Sequence, residues 1–422
     1  MNFIVKPLSK FNRTITAPPD KSITQRAVLF GALGDKTFKI HNALLGEDCY
    51  SSLKCAEALG ASIDVDENSN TITLMGREIA STHLDVGNSG TAMRLLAGAL
   101  AGQVGNQFTL DGDDSIRSRP MRRVIEPLTM MGADLGSDVN YRAPLTINGT
   151  TLKGIHYNSP IASAQVKSAI LLAGLNASGR TVVTERIKSR DHTERLLQYY
   201  GVNVYVHENS VGVMPARIIP RDTRIVGDIS SAAFPLVLAA ALKDSRVIIK
   251  DVGVNLTRSG IMAVLTKCGA NYRISNHRGE FEPEADIELE YTPLKPFTIR
   301  RKLIPLLIDE IPILAVLACF IEGESSVTGA EELKFKESNR IDTVVNNLKK
   351  MGADIEGTPD GMIIRGTGYL KGGATIDPIG DHRIAMSMAI AGALSAEGCT
   401  ILNAECAAVS YPDFYNIFKE MP

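Results

Sequence analysis

Six cations of the chain, Lys21, Arg26, Arg94, Lys167, Arg190 and Arg383, lie in or beside short polar segments that open long apolar runs. Such a run reads as a buried helix. The start of a helix offers free backbone N–H groups and about half a positive charge. Cations gathered at such starts describe a site for phosphate or carboxylate. Each polar residue also has a structural explanation. Asp20, Asp228 and Asp381 are good N-cap residues, and for Asp228 and Asp381 capping is the preferred reading. Ser22, Thr24, Ser89 and Thr91 can satisfy their own helix ends. Lys21 and Arg26, directly after Pro18 and Pro19, are harder to explain by packing: two cations at the mouth of a buried helix need an anionic partner.

Three further segments carry chemistry. Asp113–Met121 (DDSIRSRPM) places Arg117 and Arg119 in a loop ahead of a helix, where a solvated basic turn is an equal explanation. In Lys334–Arg340 (KFKESNR), Lys336 and Arg340 are spaced to share a helical face with Glu337 between them, as an exposed salt-bridged helix also would be. Asp309 and Glu310 enter the apolar run Ile313–Ile321. Capping accounts for one carboxylate there. A second at a desolvated position is unfavourable unless paired or used, which makes the pair a candidate for acid/base work. There is no G-x-x-x-x-G-K-[ST], no G-x-G-x-x-G after a strand and no H-E-x-x-H, and the seven His are scattered. Nucleotide-dependent phosphoryl transfer, dinucleotide redox and zinc chemistry lose support.

The elements that position these residues repeat. A polar start followed by an apolar run occurs at Asp20–Leu33, Gly87–Leu100, Ser159–Leu175, Gly227–Leu242, Ile308–Gly323 and Gly380–Leu394, with starts 67, 72, 68, 81 and 72 residues apart. Between them, amphipathic runs end at Gly60, Gly132, Gly201, Gly269 and Gly352, 72, 69, 68 and 83 residues apart, as helices ending in a left-handed cap do. Two markers with one period predict six units of roughly βαβαββ order, each with a buried helix and an outer one. The longest interval contains His277–Lys302, charged and with Pro283, Pro293 and Pro296, and reads as a surface insertion.

The chain has 422 residues, 45 Lys and Arg against 47 Asp and Glu, and 22% charged residues. That balance excludes a disordered chain and a protein that coats nucleic acid by bulk electrostatics. The acids that offset the helix-start cations are expected on the outer faces. The six Cys form no C-x-x-C pair, Cys319 sits in an apolar run, and no apolar run reaches the ~20 residues of a membrane span. The expectation is a reduced cytoplasmic protein without leader or membrane partner. No linker is visible, so three units each form two globules joined by crossings near Pro18–Pro19 and Arg224–Gly227: residues 1–19 with 227–422, and an inserted 20–226.

Pro18–Arg26 (PPDKSITQR), Gly87–Arg94 (GNSGTAMR), Arg117–Met121 (RSRPM), Ser163–Ser168 (SAQVKS), Ser189–Arg195 (SRDHTER), Lys336–Arg340 (KESNR) and Asp381–Met386 (DHRIAM) resemble, in order and along the whole chain, the motifs of the enolpyruvylshikimate-phosphate synthase family. The resemblance implies a two-domain inside-out α/β barrel, the enolpyruvyl transferase fold, with six βαβαββ repeats, three per domain, and a reaction in the cleft between the domains. It implies transfer of enolpyruvyl from phosphoenolpyruvate to the 5-hydroxyl of shikimate 3-phosphate, by a monomer without metal or cofactor.

Carried over by position, the resemblance assigns Lys21, Ser22, Arg26, Ser163, Gln165, Ser189, Asp309 and Lys336 to shikimate 3-phosphate. It assigns Lys21, Gly90, Arg119, Gln165, Arg340 and Arg383 to phosphoenolpyruvate, with Lys336 bridging both. Asp309 would be the base at the hydroxyl, and Glu337 with Lys21 the proton-handling pair. The chain departs from the family at Leu95, where Pro is frequent, at His192, where some members have Tyr, and at Ala407–Pro412, which lacks a Lys some members place on phosphoenolpyruvate. Gly90 implies an open phosphoenolpyruvate pocket and sensitivity to glyphosate. Two alternatives are an enolpyruvyl transferase acting on UDP-N-acetylglucosamine and a non-catalytic repeat scaffold. The first is disfavoured because Ser22 follows Lys21 and no Cys lies between Cys55 and Cys268, the second because a scaffold has no need of Asp309 and Glu310 beside so many cations.

Overall fold

Each of the six apolar runs is a helix in the computed structural model, which describes residues 1–419: α1 (Lys21–Ala32), α2 (Gly90–Ala101), α3 (Ala164–Gly174), α4 (Ile229–Ala241), α5 (Ile311–Cys319) and α6 (His382–Leu394). Five begin with a side chain that accepts a backbone N–H: Asp20 from Ile23, Ser89 from Ala92, Ser163 from Val166, Asp228 from Ser230 and Asp381 from Arg383. The sixth, α5, has Glu310 at the cap position with no such bond and Pro312 in its first turn, where a missing N–H costs nothing. Nearly every residue of these helices is buried, as an all-round apolar sequence requires.

The outer helices are Glu47–Ala58, Arg122–Met130, His192–Tyr199, Gly260–Cys268 and Arg340–Lys350. The glycines that follow them, Gly60, Gly132, Gly201, Gly269 and Gly352, all take positive φ. A side chain there would be strained, so the repeated glycine is a requirement of the turn.

Five sheets have four strands, a parallel pair whose second strand is followed by an outer helix and an antiparallel hairpin that adds back onto it; in three of the five a core helix links the parallel pair. In one, Thr82–Asp85 pairs parallel with Gln107–Asp111, which pairs antiparallel with Leu145–Asn148, which carries Asp134–Gly136 at the edge. Alternate residues face the helices, as Phe38, Ile40, Ile72 and Leu74 do.

The chain forms two compact units, one from Met1–Pro18 with everything from Val226 onward, the other Pro19–Ile225. We call them the terminal and inserted units. Strand exchange joins the repeats across the chain. The strand Asn12–Thr16 leads into α1 but pairs with Arg246–Gly253 of the terminal unit. Thr223–Arg224 leads into α4 but pairs with Thr37–His41 of the inserted unit.

Within the inserted unit α2 packs on α1 and α3; within the terminal unit α4, α5 and α6 pack on one another. The α2–α3 contact depends on Gly98, where a Cβ would stand 2.0 Å from the Ala169 carbonyl oxygen. Leu95 is buried in the same unbroken helix.

Two expectations need correction. Among the described residues the sixth unit has no outer helix or edge hairpin: Ala374–Ile376 and Cys399–Ile401 are completed by the N-terminal Phe3–Val5, and the chain continues as two 3-10 turns, Ala404–Val409 and Phe414–Phe418. His277–Lys302 is no insertion. It begins within a lengthened hairpin, Asn271–Arg278 against Glu284–Glu290, whose charges pair across the strands through Arg278 with Asp251, Glu284 and Asp286. All six Cys are free thiols and five are buried. No helix among the described residues is long and apolar enough to cross a membrane.

Candidate active site

In the terminal unit, the starts of α4, α5 and α6 bring together a connected set of charges. Arg340, 1% exposed, opens the outer helix Arg340–Lys350 behind the Asn339 cap. Its Nε donates to Asp381 Oδ2 at 2.8 Å, Nη1 to Asp309 Oδ1 at 3.0 Å and Nη2 to Glu337 Oε2 at 2.6 Å. Burial works against its charge, but Asp381, Glu337 and Asp309 outweigh burial and hold the guanidinium above its ordinary range. Lys336 Nζ donates to the same Asp309 Oδ1 at 3.2 Å.

Lys336 and Arg340 do not share a helix face. Lys336 ends a 3-10 turn with an extended backbone and Arg340 starts a new helix, so the two approach Asp309 from either side of a break. Arg258 closes the set from the other side, with Nη2 3.3 Å from Asp228 Oδ1 and Nη1 3.4 Å from Glu310 Oε1 and 3.7 Å from Asp309 Oδ2.

Glu310 is fully buried and accepts from Ser230 Oγ and Arg258. The two adjacent carboxylates therefore divide: Glu310 is consumed in the core, and Asp309, at the edge, faces three cations. Arg383 Nη2 lies 3.9 Å from Asp228 Oδ2, and its Nη1 is buried without an acceptor among the described residues. A guanidinium edge presents paired donors that match a carboxylate or phosphate.

In the inserted unit, Gln165 on α3 accepts from Arg94 Nη1 at 2.8 Å and donates to Thr91 Oγ1 at 3.0 Å, linking the starts of α2 and α3. Arg119 Nη2 donates to Asn88 Oδ1 at 2.8 Å and Ser115 Oγ at 3.0 Å. Arg117, two residues earlier, is held by Asp111 on the neighbouring strand. A Cβ at Gly90 would lie 2.5 Å from Arg94 Nη1 and 2.9 Å from Arg119 Nη1, so Gly90 sits between two guanidinium groups.

Arg26 Nε donates to Thr193 Oγ1 at 2.8 Å and Nη1 to the Ser22 carbonyl at 2.9 Å, while Lys21 pairs with Asp48 at 2.8 Å. Ser163 caps α3, and Ser189 is 2% exposed with no partner for its Oγ among the described residues. His192, also buried, is the first residue of the outer helix His192–Tyr199.

The structure thus gathers Asp309, Lys336, Glu337, Arg340 and Arg383 in the terminal unit. Lys21, Ser22, Arg26, Gly90, Arg119, Ser163, Gln165 and Ser189 belong to the inserted unit. Lys167 differs from the expectation: it is 2% exposed and bound to Glu185 at 2.9 Å and Glu194 at 2.7 Å, so its charge is already answered. Nor do the offsetting acids lie on the outer faces. Asp228, Asp309, Glu310, Glu337 and Asp381 stand among the cations of the terminal unit, because a desolvated cation needs its counter-charge nearby.

Sequence reasoning missed Arg258 and Asp48. Arg258, just ahead of the helix Gly260–Cys268, carries the same signature as the other helix-start cations and was findable. Asp48 has none, since acids in a first helical turn are ordinary. The tail offers no cation from 402 to 418, and the Lys419 carbonyl accepts from Arg13.

The sequence matches the family model described as EPSP synthase (3-phosphoshikimate 1-carboxyvinyltransferase) over residues 5–418. A 3-phosphoshikimate 1-carboxyvinyltransferase of Bacillus cytotoxicus is 48% identical, with 96% of each chain covered, and one of a Thermoanaerobacter species is 48% identical over 99% of each. An EPSP synthase structure from Acinetobacter baumannii superposes with a TM-score of 0.85 at 38% identity, covering 99% of this chain and 97% of that one. The enolpyruvyl transferase NikO from Streptomyces tendae shares the fold, with a TM-score of 0.80 at 14% identity over 98% of this chain and 95% of that one.

Proposed function

The chain belongs to the EPSP synthase family, and from that premise we propose how its helix-start residues divide the work of carboxyvinyl transfer. The reaction moves the enolpyruvyl group of phosphoenolpyruvate to the 5-hydroxyl of shikimate 3-phosphate and releases phosphate. The scaffold and sugar-nucleotide readings have no support from the relatives.

The hydroxyl oxygen adds to C2 of phosphoenolpyruvate as C3 gains a proton. The tetrahedral intermediate then loses a proton from C3 as the C2–O bond to phosphate breaks. Phosphate leaves by C–O cleavage, so fixed guanidinium groups suffice to hold its charge.

Asp309 is the base at the 5-hydroxyl, steadied by Lys336 and Arg340, which hold one carboxylate oxygen from two directions. Glu337 and Lys21 handle the proton at C3. Arg340, Arg383 and Arg119 clamp the carboxylate and phosphate of phosphoenolpyruvate, with Lys21, Gly90 and Gln165 contributing to the same ligand. Lys21, Ser22, Arg26, Ser163, Gln165, Ser189, Asp309 and Lys336 hold shikimate 3-phosphate, with Lys336 bridging to phosphoenolpyruvate. The observation that carries this reading is Arg340: one buried guanidinium joins the proposed base, the proposed acid and the cap of α6, so these groups are set as a unit.

Kinetics test the roles. Asp309→Asn and Glu337→Gln are each expected to lower kcat by about 10²- to 10⁴-fold in protein that still unfolds cooperatively, with a lowered thermal midpoint. Near-normal turnover of either variant removes that residue from its role.

A further inference from the structure

Lys167, Glu185 and Glu194 form a buried ion triad that the proposed chemistry does not use. Lys167 Nζ lies 2.9 Å from Glu185 Oε2 and 2.7 Å from Glu194 Oε1, and none of the three residues is more than 4% exposed. A buried triad is a weak source of stability, since apolar residues of similar volume often serve as well or better. Its geometry points to another use. Glu185 Oε2 also accepts the backbone N–H of Ser189 at 3.1 Å, and Lys167 Nζ also donates to the Ser189 carbonyl at 3.4 Å. The triad thus holds Ser189 by both of its backbone groups. The Ser189 side chain is buried and its Oγ has no partner among the described residues.

The triad is tied to the other proposed contacts of that ligand. Lys167 stands one turn into α3, its N–H bonded to the carbonyl of the Ser163 cap. Glu194 shares the first turn of His192–Tyr199 with Thr193, which accepts from Arg26 Nε at 2.8 Å and bonds Ser168 of α3 at 2.6 Å. One set of charges fixes the strand end at Glu185, the loop at Ser189 and the helix start at Thr193 relative to α3.

We infer that Lys167, Glu185 and Glu194 are positioning residues for shikimate 3-phosphate, setting the Ser189 hydroxyl and the Thr193–Arg26 pair toward that substrate. The inference rests on the reading of Ser189 as a contact of this ligand. The residues act through Ser189 and Arg26, so their removal weakens one substrate and not the other.

Steady-state kinetics with each substrate varied in turn test it. Glu185→Leu keeps the Lys167–Glu194 pair and a similar volume but removes the acceptor of the Ser189 N–H. It is expected to raise KM for shikimate 3-phosphate about tenfold, leave KM for phosphoenolpyruvate within about twofold and change kcat by less than about threefold. Glu185→Gln, whose amide oxygen still accepts that N–H, is expected to stay within about threefold of wild type. If Glu185→Leu does not fold, the combined variant K167M/E185L/E194L removes all three charges together and provides the same comparison.

A folded variant with a shikimate 3-phosphate KM within twofold of wild type, or an equal rise in both KM values, overturns the inference. Ser189→Ala separates the two levels. If it raises that KM while Glu185→Leu does not, the triad's role falls and the reading of Ser189 stands; if it leaves KM unchanged, the reading of Ser189 falls and the inference with it.

Discussion

At the scale of residues, the decisive property is how each cation is answered. Lys167 and Arg383 look alike in sequence, as cations near the start of an apolar helix. In the fold Lys167 is neutralised by two glutamates, whereas Arg383 keeps a buried Nη1 without an acceptor among the described residues. Partners 18 and 27 residues from Lys167 in the chain decide this, and no local pattern shows them. Asp309 and Glu310 were visible as a pair, but which of them serves the core depended on Ser230 and Arg258. Gly90 gives a direct prediction. A methyl group there meets the tips of Arg94 and Arg119, which can move, so Gly90→Ala should fold normally while displacing both groups. KM for phosphoenolpyruvate is expected to rise about tenfold, with inhibition by glyphosate weakened at least as much. The same KM in both proteins would remove Gly90 from the phosphoenolpyruvate site. The wild-type enzyme is expected to be glyphosate-sensitive, and inhibition only far above the concentration that saturates phosphoenolpyruvate would contradict the open pocket.

At the scale of elements, the core helices were legible because cap residues and all-round apolar runs are local signals, and the outer helix ends because positive φ selects glycine. Strand exchange was not legible, because Asn12–Thr16 and Thr223–Arg224 find partners about 200 residues away. Close helix contact was not legible either: Gly98 reads as an ordinary small residue until Ala169 is placed against it. Gly98→Ala should cost at least about 2 kcal/mol through overpacking against backbone, lowering the thermal midpoint by about 5 °C. An unchanged midpoint would show that α2 and α3 separate easily. The long hairpin carries a pH-dependent term. Burial alone would raise the Asp286 carboxyl, but hydrogen bonds from Asn276, the Asp251 N–H and Arg278 bring it down to about 2. A depressed carboxyl stabilises the fold fully above its unfolded value and loses that contribution as pH falls from about 4 toward 2. Asp286→Asn should therefore be less stable than wild type by about 1 kcal/mol at pH 7, after solvent screening, and most of the difference should be gone by pH 2. A difference that persists unchanged at pH 2 would assign the effect to packing instead.

At the scale of the whole molecule, a nearly neutral chain of 422 residues contains two units in which three buried helices each present charged starts. In the terminal unit acids stand directly beside the cations, so the composition is silent about the chemistry. The repeat period made six units legible, while the shortened sixth, completed by Phe3–Val5, shows where periodicity stops being a guide. Family membership fixes the reaction, and the buried network around Arg340 supports the view that these helix starts perform it. The most direct measurement is phosphate release from phosphoenolpyruvate by the purified protein, with shikimate 3-phosphate or UDP-N-acetylglucosamine as acceptor. Release is predicted with shikimate 3-phosphate alone, and release only with the sugar nucleotide, or with neither, would contradict the account.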